Sequence, residues 1–182
     1  MPESGDLVMV EEIDPEDWHV REVYARFGLA MYQGQVLEHE IVNLLSWTGI
    51  NAGEIANREQ ADASSAILFA KTMGALRAAL MTRRIDLGQL DGELTRAVRL
   101  RNFLAHHYFR ERAAAFMTRE GRDGMIGELD QAITFFREVD ERLTPFTLRI
   151  IEAFGLTGKL HELRAEDQAG KSFGPRLPGL AP

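Results

Sequence analysis

The sequence predicts an all-α protein, an up-down bundle of four main helices followed by a short C-terminal helix. Three observations predict it. Apolar residues recur every three or four positions through four long stretches. No stretch alternates apolar and polar residues as a half-buried strand would. Helix start and stop signals sit where the apolar stripes begin and end. At 182 residues the chain fits one domain with a proper core. Its expected divisions are an acidic N-terminal tail over 1–13, the bundle over 14–156 and a flexible C-terminal tail over 157–182.

The first helix is announced by Asp14-Pro15-Glu16-Asp17: an acceptor at the cap, proline in the first turn and acids against the positive end of the dipole. Its stripe runs through Val20, Tyr24, Phe27, Met31, Gly34, Leu37, Ile41 and Leu44, and the Thr48–Gly53 segment ends it. Residues 51–63 are polar and aperiodic, which suits a connection. Ser64 or Asp62 would cap the second helix, with Ala66 or Ile67, Phe69, Met73, Leu76 and Leu80 facing inward and Arg83-Arg84 at its end. The third is expected from about Asp86, with Leu87, Leu90, Leu94, Ala97 or Val98, Arg101, Leu104 and Tyr108 in register as far as Thr118. Gly121 and Gly124 interrupt the pattern there. A fourth carries Met125, Leu129, Ile133, Phe136, Val139 and Leu143 until Pro145 kinks or ends it, leaving Phe146–Phe154 as a further helical piece. Helices this long, with large residues at most seam positions, would leave apolar surface on a lone bundle, so a homodimer is expected.

Composition removes whole classes of function. The chain has no cysteine, which excludes disulfides, thiolate metal sites and thiol nucleophiles, and suits a reducing cytoplasm. No apolar run approaches bilayer length and the N-terminus is acidic, so neither a membrane span nor a signal peptide is expected. Of the net charge of −7, all of the excess lies in Glu3, Asp6, Glu11, Glu12, Asp14, Glu16 and Asp17; beyond them acids and bases balance. The fingerprints G-x-S-x-G, G-x-x-x-x-G-K and G-x-G-x-x-G are missing, as are paired Glu-x-x-His motifs, so no cofactor and no metal are expected.

Against that background Arg99–Arg112, R-L-R-N-F-L-A-H-H-Y-F-R-E-R, stands out. Five arginines face one acid, Glu111, between Arg96 and Arg112, a concentration of positive charge suited to an anionic ligand, with Arg99, Arg110 and Arg112 as phosphate-binding candidates. Arg101 falls where the register calls for an apolar residue, so its guanidinium must reach a partner or the edge of the core. Residues five apart differ by roughly 140° on a helix, whereas Asn102 and His106, four apart, share a face. Arg101 therefore meets His106 only by its reach, through an irregular helix, or across a dimer. The residue types suit phosphodiester chemistry, since histidine exchanges protons near neutrality and arginine grips phosphate oxygens through a planar fork.

The run R-N-F-L-A-H-H-Y from Arg101 to Tyr108, late in a helical bundle, resembles the signature of the HEPN superfamily, the higher-eukaryote and prokaryote nucleotide-binding domains. Lys71-Thr72-Met73-Gly74 before it and R-E-R-A-A-A-F after it are similar to a group of bacterial HEPN-like proteins. The resemblance implies a metal-independent RNA endonuclease, homodimeric, with Arg101, Asn102 and His106 as the catalytic set. It also implies a toxin-antitoxin or phage-defence setting. Tyr108 then matches a tyrosine that an antitoxin of the nucleotidyltransferase type modifies. The same superfamily includes members that cut nothing, so the alternative is a non-catalytic dimeric module that binds a nucleotide or a protein partner.

Structural roles compete with these. Arg101 and His106 can cap the bundle, bond to Glu38 or Glu40 of the first helix, or fix a dimer. His107 and Tyr108 can be packing and rim residues, Glu38-His39-Glu40 a solvated face, and Trp18, Trp47 and Phe135-Phe136 core or interface anchors.

Overall fold

The computed structural model describes residues 15–155 together with 157 and 158, and every described element is a helix, turn or bend. The acidic tail, the Asp14 cap and the C-terminal tail from residue 159 onward lie outside the described residues. Helix α1 spans Pro15–Asn51, α2 Arg58–Phe69, α3 Met73–Thr82, α4 Leu90–His106, α5 Tyr108–Glu111, α6 Ala113–Phe116 and α7 Arg119–Ala153.

The all-α expectation stands, but the divisions differ from those the stripes suggest. The second stretch is two helices. Asn57, rather than Ser64 or Asp62, caps α2: its side chain accepts the Gln60 N–H at 2.9 Å, and the Gln60 side chain accepts the Ala56 N–H at 2.8 Å. Such reciprocal bonds satisfy donors that a helix start leaves orphaned. Thr72 then caps α3 by accepting the Ala75 N–H, so the helix restarts with Met73, Leu76 and Leu80 buried. Ile67 and Phe69, expected inside, are exposed.

The third stretch starts at Leu90 and does not run to Thr118. Asp86 holds the preceding turn by accepting the Gly88 N–H at 3.0 Å, with Arg84 and Gly88 both at positive φ. The helix breaks at His107 (φ −129°, ψ −27°) and again at Arg112. By contrast, α7 starts before Gly121, capped by Thr118, and passes through Gly121, Gly124 and Pro145 without a break. Pro145 and Glu141 are both exposed, so the carbonyl that loses its proline donor is left to solvent, and the cost of a mid-helix proline is reduced. The piece expected after Pro145 is therefore the end of α7.

The two long helices lie side by side and point the same way. His19 Nδ1 is 2.9 Å from Asp123, Arg26 bonds to Asp130 at 2.9 Å, and Thr147 donates to Glu40 at 2.7 Å. These partners rise together along both chains. Helix α4 runs opposite to both. Its Arg101 lies level with Gly34 and Glu38, Tyr108 beyond it with Phe27, and Arg96 stacks over Phe135 at 4.8 Å. Leu37, Ile41, Leu94, Leu129 and Phe136 fill the seam between the three helices. Next to it Asp140 is pushed above the usual carboxylate range by burial and by the neighbouring Glu40.

One close approach tests this packing. A Cβ on Gly121 would land on the Ala115 carbonyl of α6, while one on Gly124 would meet open space. Gly121→Ala is expected to cost about 1–3 kcal/mol through forced displacement of backbone. Gly124→Ala should add about 0.5–1 kcal/mol, because alanine is the better helix former. Denaturant melts of the two variants measure both signs.

Candidate functional site

Helix α4 carries the motif to the end of the bundle where α1 and α7 begin. Arg101 points toward α1: its Nε lies 3.3 Å from Glu38 Oε1, and both side chains are mostly buried. Gly34 lies beside it: a Cβ there would meet the Arg101 stem at 3.6 Å and the Phe136 ring at 3.7 Å, both ordinary contact distances. The arginine at an apolar register position thus has a carboxylate to answer it, the first of the two that the sequence offered. Glu40, the other, accepts a hydrogen bond from Thr147 instead.

Asn102 and His106 are exposed, one turn apart near the end of α4. Among the described residues no hydrogen bond or ion pair engages the His106 side chain; its ring faces that of His107 at 6.3 Å between centroids. The helix is regular from Leu90 to His106, so no irregularity between them turns Arg101 and His106 onto one face.

The turn after α4 sends His107 and Tyr108 in opposite directions. His107 is exposed, with its Nδ1 3.0 Å from Arg110. Tyr108 is 2 % exposed, and its hydroxyl donates to the Met125 carbonyl at 3.1 Å. Phe27, Phe103 and Phe109 surround its ring. Burial, and then the negative charge of Glu128, push its pKa up. Tyr108 is therefore a core residue and not a rim one, and in this conformation its hydroxyl is out of reach of a modifying enzyme.

The basic run is less free in space than in sequence. Arg112 bonds to Glu128 at 2.8 Å, and its guanidinium sits 5.7 Å from the Phe103 ring centre. Arg101 is taken by Glu38 and Arg96 covers Phe135. Arg99 and Arg110 remain exposed, and neither has a carboxylate partner among the described residues. The pairing with Glu128 escaped sequence reasoning. The two residues are 16 apart, Arg112 in the turn between α5 and α6 and Glu128 on α7, and nothing local marks the pair. Trp47 and Phe136 are core residues as expected, whereas Trp18 is half exposed.

Among the described residues, no three His, Asp or Glu side chains converge where a metal could bind, and no helix is long and apolar enough to cross a membrane. The chain matches no protein-family model, no curated protein and no solved structure.

Tyr108 gives this region a pH signature. A tyrosine whose folded pKa is raised favours the folded state as long as it is neutral, so its contribution is intact below its ordinary value of 10.0 and is lost as pH rises beyond it. Tyr108→Phe should cost about 1 kcal/mol at neutral pH through the lost hydrogen bond. It should also flatten the fall in stability above pH 10. Chemical denaturation at neutral and alkaline pH checks both.

Proposed function

We propose that the chain is a HEPN-like, metal-independent RNA endonuclease that works as a homodimer. Arg101, Asn102 and His106 form its reacting set. The observation that carries the proposal is His106, an exposed imidazole at the end of α4 with no intramolecular partner among the described residues, one turn from the exposed Asn102. A histidine placed to hold a fold is usually bonded within it; this one is open to exchange protons with a ligand. Arg99 and Arg110, exposed on the same α4–α5 segment, supply charge for phosphate.

The chemistry comes from those side chains. His106 takes the proton of a ribose 2'-hydroxyl, and the 2'-oxygen attacks the adjacent phosphorus. The bond from phosphorus to the 5'-oxygen breaks, leaving a 2',3'-cyclic phosphate, and the protonated His106 returns its proton through water to the leaving oxygen. Arg101, held by Glu38 at the rim of the seam, stabilises charge on the pentacoordinate phosphorus. The cytoplasmic setting, the toxin-antitoxin or phage-defence role and a nucleotidyltransferase antitoxin as partner rest on the motif's resemblance.

A specific observation favours a second reading. Arg101 and Arg112 are each neutralised by a carboxylate, as suits a non-catalytic dimeric module that binds a nucleotide or a protein through the remaining exposed cations.

Cleavage of a labelled RNA mixture in EDTA separates the two. The nuclease reading expects 2',3'-cyclic ends, with activity reduced about 10²–10⁴-fold in His106→Ala and strongly reduced in Arg101→Ala, at matched folding. A folded, dimeric wild type that leaves every RNA intact would move the conclusion to the binding module.

A further inference from the structure

Phe135 and Phe136 are neighbours on α7 with different fates. Phe136 is buried in the seam, whereas Phe135 is half-buried where α7 meets α4. There it forms one wall of a hollow of about 300 Å³, lined also by Arg96 and Leu100 of α4 and by Glu128, Gln131 and Ala132 of α7. A second hollow of about 300 Å³ adjoins the first, sharing Gln131 and Phe135 and adding Glu138. Each lies at the lower end of the range for small-ligand sites. Among the described residues neither the Gln131 amide nor the Glu138 carboxylate has a hydrogen-bond or ion-pair partner. The Arg96 guanidinium is engaged only with the Phe135 ring, 4.8 Å from its centre.

We propose that Phe135 is a stacking platform for one unpaired base of single-stranded RNA, that Arg96 covers the platform until a base arrives, and that the Gln131 amide reads the edge of that base. Magnitudes decide the exchange. Arg96 is exposed, and a cation over a ring at an exposed site gains about 2–5-fold in equilibrium. A base stacked on an aromatic side chain gains about 5–150-fold. The base therefore displaces the guanidinium, and the freed Arg96 swings to a phosphate.

Charge fixes which part of a nucleotide enters. The α7 side carries Glu128, Asp130 and Glu138. Glu128 bonds to Arg112 and Asp130 to Arg26, which leaves Glu138 unneutralised. A phosphate is repelled there, while the amino group of a base finds acceptors. The α4 side carries Arg96 and Arg99 and no acid between Arg96 and His106. An uncharged base thus goes in, with its phosphates along α4. Adenine fits best, since a glutamine amide pairs with its N6 and N7 together, whereas the carbonyls of uracil would face carboxylates.

The platform deepens the nuclease reading and rests on it for its substrate. At 100° per residue Arg96, Arg99 and His106 fall within a quarter-turn of one another on α4. Arg96 stands about 15 Å from His106 along the axis at 1.5 Å per residue. A strand with one base on Phe135 runs past the exposed Arg99 to His106. Phe135 and Gln131 then select the base that lies a fixed, short distance from the bond that is cut.

Fluorescence anisotropy of the full chain with labelled 2'-O-methyl oligoadenylate tests this. That RNA lacks the attacking hydroxyl, so it reports binding whether or not the protein cleaves. Phe135→Leu should weaken binding about 5–150-fold with an unchanged dependence on salt, and Phe135→Trp should restore it. Arg96→Gln should lower the salt slope by about 1. Gln131→Ala should narrow the preference for oligoadenylate over oligouridylate. Phe146→Leu removes another arginine-covered ring of α7 and should leave binding unchanged. A folded wild type that does not bind oligoadenylate overturns the proposal, and so does a folded Phe135→Leu chain of wild-type affinity. Should Phe135→Leu fail to fold, the exposed positions decide: an unchanged salt slope in Arg96→Gln or an unchanged base preference in Gln131→Ala overturns it. Binding that depends on Phe135 without any RNA cleavage would count against the nuclease reading alone. Cleavage that is indifferent to Phe135→Leu would overturn the platform and leave the nuclease standing.

Discussion

Two long helices that lie side by side and point the same way constrain everything else in this protein. A chain that leaves α1 at one end and must enter α7 at the other has to traverse the bundle between them an odd number of times. It does so with α2 back along α1, α3 forward and α4 back again. Helix α4 consequently lies opposed to both long helices, its negative end beside their positive ends, which is the favourable arrangement of dipoles. The same constraint delivers the R-N-F-L-A-H motif to the end of the bundle where α1 and α7 begin. The motif's position is a consequence of topology before it is one of chemistry.

At that end the chain has a short distance in which to reverse, and two short helices make the turn. The break at His107 leaves Tyr108 in the core and His106 in water. Phe109 and Phe116 close over Tyr24, and the Tyr108 hydroxyl anchors the turn to the Met125 carbonyl. The reversal is thus held by aromatic packing and one buried hydrogen bond, while the polar residues of the motif face outward. Arg101 is the exception: it turns inward beside Gly34 to Glu38 and links the motif to α1.

Much of this was legible in the sequence. The core faces of α1, α4 and α7 follow their apolar periods, and an arginine at an apolar register position demanded the carboxylate that Glu38 provides. The misses have physical causes. Ile67 and Phe69 sit in period with Met73, yet the cap offered by Thr72 resets the helix and turns them out. Glycine and proline usually punctuate, but Gly121 is present because α6 crosses where its side chain would be, and Pro145 lies on the solvent side of a helix that the seam holds together. Arg112 with Glu128 pairs the α5–α6 turn with α7, which local pattern cannot announce.

One chain presents Arg101 and His106 on different sides of α4, and the central claim is that two chains together make the reacting set. Mixing tests it most directly. Arg101→Ala and His106→Ala chains are unfolded together, refolded as mixed dimers, and assayed for RNA cleavage in EDTA. The mixture is expected to recover cleavage that neither parent shows, because each mixed dimer retains one arginine and one histidine from different copies. Mixed dimers that form and remain as inactive as their parents, beside an active wild type, would contradict it.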